Sequence, residues 1–298
     1  MSTAYRILHR TDYFYEEPVS SSYGQLHMLP RELPGQRCRS AELSISPEPE
    51  LSRERTDFFG NRVAYFALHE PHQHLNVTVT SVVEVQERSA ELSLFGQRSW
   101  EQVRGAVSAG GERIPHDIVQ YVLGSPRAGT SETYLQYATS AVEPGAGVFE
   151  AVRALCSKIH ADFEYSPGST SVVTPLAVAF ANRRGVCQDF AHLGIACLRS
   201  MGLPARYVSG YLETDPPPGR PKLTGADGSH AWLSVFIPDA GWVDIDPTND
   251  QFVGDRYVTT AIGRDYGDVP PMNGVIYTVG KTERLEVAVD VVALPHIT

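Results

Sequence analysis

The stretch GVCQDFAHL, residues 185–193, places a cysteine between a glycine turn and an apolar-periodic run that predicts a helix. Cys187 therefore stands in the first helical turn, where backbone N–H groups lack intrahelical acceptors and the helix dipole is positive. Both effects favour the thiolate, which is the nucleophilic form of cysteine. We interpret Cys187 as a nucleophile; the alternative is a structural cysteine, because free cysteines are often buried.

Two later segments supply partners for this thiol. SHAW, residues 229–232, opens a strand-like run, and GWVDIDPT, residues 241–248, forms and ends the next one. A helix start and two neighbouring strands can bring together a cysteine, a histidine base and a carboxylate that orients the base. His230 is the predicted base, and the sequence predicts a cysteine acyl-transfer enzyme.

The orienting carboxylate is one of two aspartates in the second segment. Asp244 and Asp246 share one face of a regular strand, so periodicity alone does not separate them. Asp246 stands directly before Pro247, where the strand should end and a carboxylate can turn towards a neighbouring imidazole. This position favours Asp246 and leaves Asp244 exposed or paired elsewhere.

A tetrahedral intermediate would also need hydrogen-bond donors for its oxyanion. The backbone N–H of Cys187, at the helix start, is one candidate. The second donor is either the hydroxyl of Tyr165 or the side-chain amide of Gln188. Tyr165 has an alternative fate, which is to pack in the core with its hydroxyl paired.

The remaining histidines give weaker signals. His192 lies five residues after Cys187, about 140° around the helix, which indicates a structural role or a contact with the catalytic residues. His72 and His74 could share one face of a strand, as metal ligands often do, but no third ligand stands nearby. We therefore expect no metal site.

The composition argues against several classes of protein. A net charge of −10 over 298 residues is unlike a nucleic-acid binder, which needs a basic face. We expect neither a secretory signal nor a membrane span, because no segment has the required apolar pattern. The cysteines have no CxxC spacing and are too few for a disulfide scaffold, so a reducing, cytoplasmic location is expected. They are Cys38, Cys156, Cys187 and Cys197, of which Cys156 and Cys197 are core candidates.

The chain is predicted to contain two domains. Residues 1–145 form a β-rich N-terminal domain, with strands mainly within residues 1–88 and a short helical connector after them. Residues 146–298 form a core in which a nucleophile helix packs on an antiparallel sheet, an α+β, papain-like layout. Core helices are predicted at 148–159, 173–181 and 187–201, and strands at 205–212, 231–237, 242–245, 274–279 and 284–294.

A long polar loop, residues 215–228, precedes His230 directly. Long loops beside catalytic residues are often lids, so a gating role is one interpretation and a surface insertion is the other.

Four motifs together resemble the bacterial transglutaminase-like superfamily. They are GVCQDFAHL (185–193), LPARYVSGYL (203–212), SHAWLSVFIPDAGWVDIDPTND (229–250) and GRDYGDVPP (263–271). The opening, YRILHRTDYFYEEPV with LHMLPRE, resembles the β-rich domain that precedes the core in those bacterial proteins. The resemblance covers nearly the whole chain.

The resemblance implies the transglutaminase branch of the papain-like fold, with Cys187, His230 and Asp246 as the catalytic triad. It implies no cofactor and no metal. The expected substrate is a peptide or protein amide, cleaved through a thioester by a peptidase or amidase. The alternatives are a protein-glutamine γ-glutamyltransferase, in which an amine captures the thioester, and a non-catalytic scaffold. We expect no nucleic-acid or membrane partner; a protein partner could bind the N-terminal β domain.

Overall fold

The computed structural model describes residues 2–86, 98–110, 115–214, 228–238 and 240–295. The fold is a mixed α+β arrangement built from antiparallel sheets and a helical layer, as the sequence predicts. Within the described ranges, no helix combines the length and apolar character that crossing a membrane requires.

The described elements begin with strands, continue through a mostly helical region and end in strands. In the first half of the chain they are β1 Ser2–Val19, β2 Ser21–Leu26, β3 Gln36–Ser46, β4 Leu51–Thr56, β5 Arg62–Leu68, β6 His72–Gln86, α1 Trp100–Ala109 and α2 Glu132–Thr139. In the second half they are α3 Val148–Asp162, β7 Glu164–Tyr165, α4 Leu176–Asn182, β8 Arg184–Gly185, α5 Cys187–Ser200, β9 Ala205–Leu212, β10 Ser229–Ile237, β11 Gly241–Asp246, β12 Gln251–Phe252, β13 Tyr257–Gly263, β14 Met272–Tyr277 and β15 Thr282–Ala293.

The N-terminal strands form two four-stranded antiparallel sheets, ordered β15-β1-β6-β3 and β14-β2-β5-β4. Strand β6 alternates buried and more exposed residues, as expected for a strand with one face on a core. Leu26 and Phe66 of one sheet share an apolar cluster with Leu75 and Val79 of the other. The two sheets therefore enclose a common core.

The last two strands of the chain belong to these N-terminal sheets. The sequence predicts that they belong to the core, and this part of the prediction is wrong. Strand β14 pairs with β2, with Val275 opposite Tyr23, and β15 pairs with β1, with Val289 opposite His9. Alternating residues predict a strand but do not identify its partner, because pairing is a long-range choice. The predicted domain boundary near residue 145 stays a prediction.

The core sheet has the order β12-β11-β10-β9-β13, and every described pairing in it is antiparallel. Helix α5 packs on one face of this sheet, where Gly194 lies directly against Leu233 of β10. A Cβ at Gly194 would stand 2.2 Å from the Leu233 side chain, so a larger residue there would force Leu233 to move. Helix α4 begins three residues later than the predicted 173–181 helix, after Pro175.

The N-terminal part of the chain packs against the core sheet. Tyr211 of β9 and Val258 of β13 share an apolar cluster with Tyr5 and Val289 of the β15-β1-β6-β3 sheet. Burial of this apolar surface stabilises the contact between the two parts.

Two buried side-chain amides complete the contact at the edge strand β13. The Gln36 amide accepts from the Thr259 N–H at 2.7 Å and donates to the Thr259 carbonyl at 2.8 Å. Asn61 makes the same pair of bonds with the N–H and carbonyl of Ile262, both at 2.8 Å. These amides pair with buried backbone groups on the open edge of β13, and they fix this strand to the N-terminal sheets.

Replacing Asn61 by alanine should lower the free energy of unfolding by about 2–4 kcal/mol, because two buried backbone groups of Ile262 lose their partners. Urea unfolding followed by circular dichroism measures this change. The control is Asn273→Ala, which removes an exposed amide from β14 and should cost under about 0.5 kcal/mol. Similar costs for both variants would contradict the role of Asn61.

Candidate active site

Cys187 is the first residue of α5, which confirms the predicted helix start. Val186 is the N-cap residue, with extended backbone angles of −117° and 179°. Cys187 is partly exposed, and its sulfur is not part of a disulfide. The thiol therefore lies at the positive end of the α5 dipole and within reach of solvent.

Asp189 is a residue of this site that the sequence analysis missed. Its buried carboxylate accepts hydrogen bonds from the Val186 N–H at 2.9 Å and from the Thr170 hydroxyl at 2.6 Å. Gly185 lies against it, since a Cβ there would stand 2.7 Å from Asp189 Oδ2. An acidic residue three positions after an N-cap is a capping-box signal, and it was available in the sequence.

His230 lies near the start of β10, beside the predicted nucleophile. Its Nε2 is 2.7 Å from Asp246 Oδ2, and the two side chains are 11% and 0% exposed. The ring stacks on Trp232 with centroids 6.0 Å apart and planes 29° apart. Because Nε2 is taken by Asp246, Nδ1 is the ring nitrogen left to exchange a proton with Cys187.

Asp246 is held by five hydrogen bonds. Its Oδ2 accepts from His230, from the Asn249 side chain at 2.6 Å and from the Tyr257 hydroxyl at 2.8 Å. Its Oδ1 accepts from the backbone N–H groups of Thr248 and Asn249 at 2.8 and 3.3 Å. Five donors around one fully buried carboxylate keep it ionised and fixed in position.

Two of these donors were missed as site residues by the sequence analysis. Asn249 lies in a motif that was recognised, and a side-chain amide in a turn that follows an aspartate was a usable signal. Tyr257 lies eleven residues after Asp246 on another strand, and the sequence carries no local sign of that contact. Gln251 orients Tyr257 by donating to its hydroxyl at 2.7 Å.

The structure brings Asp246, rather than Asp244, to His230. Asp244 is partly exposed within β11, opposite Ser234 of β10. Asp246 ends the same strand, so the turn after it supplies backbone donors that a residue inside the strand could not receive. The catalytic roles of Cys187, His230 and Asp246 stay predictions, and their placement fits those roles.

The protein environment shifts the pKa values of His230 and Asp246. Burial lowers the pKa of His230, but the hydrogen bond to Asp246 and the neighbouring Cys187 raise it more, to about 10. Burial raises the pKa of Asp246, and its bonds to His230, Asn249 and Tyr257 outweigh this, so the pKa of Asp246 is lowered overall. The pair is therefore an imidazolium–carboxylate pair at neutral pH.

The two candidates for the second oxyanion donor lie close to Cys187. Tyr165 is 52% exposed, and its ring edge meets Phe190 with centroids 6.3 Å apart. Burial of part of its ring and the nearby charges of Cys187 and Asp246 raise the pKa of Tyr165. Gln188 is buried in the first turn of α5. Tyr165 is thus half-exposed instead of packed in the core, and both residues remain candidates.

The structure gives His72 and His74 separate partners. His72 Nε2 is 3.0 Å from the Ser22 hydroxyl, and His74 Nε2 is 2.8 Å from Asp12 Oδ1. In the part of the chain that the structure describes, no three histidine, cysteine or acidic side chains are grouped to hold a metal. The expected absence of a metal at residues 72–74 stays a prediction.

Two further sequence predictions concern the cysteines and the loop before His230. Cys156 and Cys197 are buried on α3 and α5, as predicted, and burial raises the pKa of Cys156 to about 12. Neither is therefore a reactive thiol. The predicted gating loop, apart from Gly228, lies outside the described residues.

Comparison with known proteins identifies the family. Residues 5–84 match the family described as the bacterial transglutaminase-like N-terminal region, and residues 134–247 match the transglutaminase-like superfamily. An uncharacterized protein of Mycobacterium tuberculosis is 41% identical over 295 residues, which cover 97% of this chain and 92% of that protein. The chain belongs to the transglutaminase-like superfamily.

Two other similar proteins have descriptions that name an activity. A structure described as a "Putative Cysteine Protease", from Cytophaga hutchinsonii, matches with a TM-score of 0.76 and 22% identity, over 100% of this chain and 93% of that one. At this identity the match shows a shared fold. A protein-glutamine γ-glutamyltransferase of Pseudomonas aeruginosa is 33% identical over 104 residues, 32% of this chain and 16% of that protein.

In this superfamily member, Asp246→Asn should lower the pKa of His230 from about 10 by about one to three units. The neutral amide removes the charge that offsets burial of the imidazolium. Titration of the His230 ring nitrogens by NMR measures the shift. Asp244→Asn removes a carboxylate from the same strand without touching His230, and it should leave this titration in place. A pKa of His230 unchanged by Asp246→Asn would contradict the assigned pair.

Proposed function

We propose that this protein is a cysteine-dependent acyl-transfer enzyme that cleaves amide bonds through a thioester. The observation that carries the proposal is the buried His230–Asp246 pair, which lies beside a partly exposed cysteine at the start of a helix. A positive helix end and an imidazolium both stabilise a thiolate, so this arrangement favours a nucleophilic sulfur at neutral pH.

In the proposed first step, the Cys187 thiolate attacks the amide carbonyl carbon, and the carbonyl oxygen becomes an oxyanion. The Cys187 N–H, with Tyr165 or Gln188, stabilises that oxyanion. His230 gives its Nδ1 proton to the departing amine as the C–N bond breaks, which leaves a thioester on Cys187. Asp246 holds the imidazole in position during the transfer.

In the second step, neutral His230 takes a proton from the incoming nucleophile, which attacks the thioester carbonyl. The C–S bond breaks and the thiolate is restored, again beside an imidazolium. Water yields a carboxylic acid, which is the peptidase or amidase reaction. A primary amine yields a new amide, which is the transglutaminase reaction.

We favour hydrolysis as the main outcome. Cys187 is partly exposed and Tyr165 is 52% exposed, so water reaches the sulfur in the described part of the site. Amine capture needs a site that excludes water from the thioester. The similarity to the Pseudomonas aeruginosa γ-glutamyltransferase supports the alternative, although only 16% of that protein is matched.

Alkylation of Cys187 by iodoacetamide should stay fast well below pH 8.5, roughly the pKa of a free thiol. The reason is that His230, with a pKa of about 10, remains an imidazolium that stabilises the thiolate. Mass spectrometry of the cysteine peptides at a series of pH values measures this. In His230→Ala, the rate at pH 6 should fall at least about tenfold.

Cys38 provides an internal control for this experiment. Burial raises the pKa of Cys38, and it is partly exposed, so its alkylation should slow as the pH falls in both proteins. If Cys187 and Cys38 show the same pH profile, or if His230→Ala changes neither, Cys187 is not activated. The non-catalytic scaffold, with a protein partner at the N-terminal sheets, would then be favoured.

Cys187→Ala and His230→Ala should each abolish amide cleavage, and the double variant should lose little more, because the two groups act as one unit. A mixed peptide library, analysed by mass spectrometry with and without a primary amine, reports cleaved and amine-modified products separately. Cys38→Ala is the matched variant and should keep full activity. Cleavage that survives in Cys187→Ala would disprove the thioester mechanism.

A further inference from the structure

One face of helix α3 binds the turn at residues 246–250, which follows β11. Four side chains that donate hydrogen bonds to this turn recur at spacings of three and four residues, which places them on the same side of the helix. They are Arg153, Cys156, Ser157 and His160. None of them has a role in the steps proposed above.

One peptide group of the turn connects α3 to the Asp246 carboxylate. His160 donates from Nδ1 to the Thr248 carbonyl at 2.9 Å. The N–H of the same peptide group belongs to Asn249 and donates to Asp246 Oδ1 at 3.3 Å. A hydrogen bond to the carbonyl of a peptide group polarises that group and strengthens the bond that its N–H donates. His160 therefore fixes this peptide and strengthens its bond to the carboxylate.

Arg153 holds the far end of the turn. Its guanidinium donates to the Asp250 carbonyl and to both carboxylate oxygens of that residue, Oδ1 at 2.7 Å and Oδ2 at 3.3 Å. The Ser157 hydroxyl donates to Oδ1 as well, at 2.8 Å. Asp250 has a φ of 52°, in the left-handed region that residues other than glycine seldom adopt. Such a conformation persists when surrounding contacts hold it, and Arg153 and Ser157 provide these contacts.

We propose that Arg153 and His160 are positioning residues of the enzyme. They hold the turn after β11, and the turn holds the carboxylate of Asp246 on His230. This inference rests on the proposed function, in which Asp246 keeps the imidazole in place while a proton moves. A displacement of about 1 Å within such a site is enough to slow the reaction strongly, so the contacts behind the turn matter for catalysis.

The direction of change in the pKa of His230 separates positioning from a simple charge effect. A weaker bond from Asp246 lowers the pKa of His230, because that bond offsets the burial of the imidazolium. Loss of the Arg153 charge alone would raise it, since a nearby positive charge disfavours a second one. The two explanations therefore predict opposite signs for the same variant.

Arg153→Met removes the guanidinium and keeps a side chain of similar length. The pKa of His230, measured by NMR titration of the ring nitrogens, should fall by about half a unit to one unit, because Asp246 stays but is held less well. Exchange of the His230 Nε2 proton with water should become at least about threefold faster, because its bond to Asp246 opens more often. Arg153→Lys keeps the charge and a donor and should restore part of both values.

His160→Ala tests the same role at an exposed position, where loss of the whole fold is not expected. It removes the donor to the Thr248 carbonyl and leaves Arg153 in place. The pKa of His230 should again fall, and exchange of its Nε2 proton should again become faster.

The matched control is Lys158→Met, which removes a positive charge from the same helix, where Lys158 pairs with Asp162 instead of the turn. It should leave the His230 titration and the exchange rate unchanged. An unchanged or raised pKa of His230 in either folded variant, Arg153→Met or His160→Ala, would overturn the proposal, and so would an equal fall in Lys158→Met.

Failure of the proposed function would give a different result. Cys187 of the unmodified protein would then be alkylated with the pH profile of a free thiol. Failure of the positioning role alone leaves that profile activated and only removes the effect of the α3 variants on His230.

Discussion

The burial of the Asp246 carboxylate is the constraint on which the rest of the site depends. A charge that is fully removed from water is tolerated only when donors surround it, and these donors come from three places in the fold. The turn after β11 gives backbone and amide N–H groups, β10 gives His230, and β13 gives the Tyr257 hydroxyl. The site can therefore form only when the turn and both strands are in register.

This dependence extends to the N-terminal sheets. The strand that carries Tyr257 is at the edge of the core sheet, and the buried amides of Gln36 and Asn61 bind its outer backbone groups. Trp232 of β10 stacks against His230 and packs in one apolar cluster with Tyr257 of β13. The N-terminal sheets thus stabilise β13, whose Tyr257 hydroxyl holds Asp246 in position.

Helix α5 is buried along almost its whole length. Its last turn holds Arg199, a buried arginine that donates to the backbone carbonyls of four residues and to the Ser125 hydroxyl. The four carbonyls are those of Tyr121, Ala128, Ala205 and Arg264. From the sequence, an arginine near a helix end is predicted to be exposed, since arginine is rarely buried without pairing. Its true environment depends on carbonyls that only the folded chain brings together.

The sequence by itself determined the local elements that carry the candidate site: a helix that starts at Cys187, strands that carry His230 and Asp246, and the α+β core. Glycine turns, periodicity and motif residues are local, so they can be recognised without a structure. Only the tertiary structure decided that β14 and β15 join the N-terminal sheets, that Tyr257 completes the shell of Asp246, and that Arg199 is buried among backbone carbonyls. Each of these depends on contacts between residues far apart in the chain, and such pairings are set by packing and burial of the whole molecule, which no local pattern encodes.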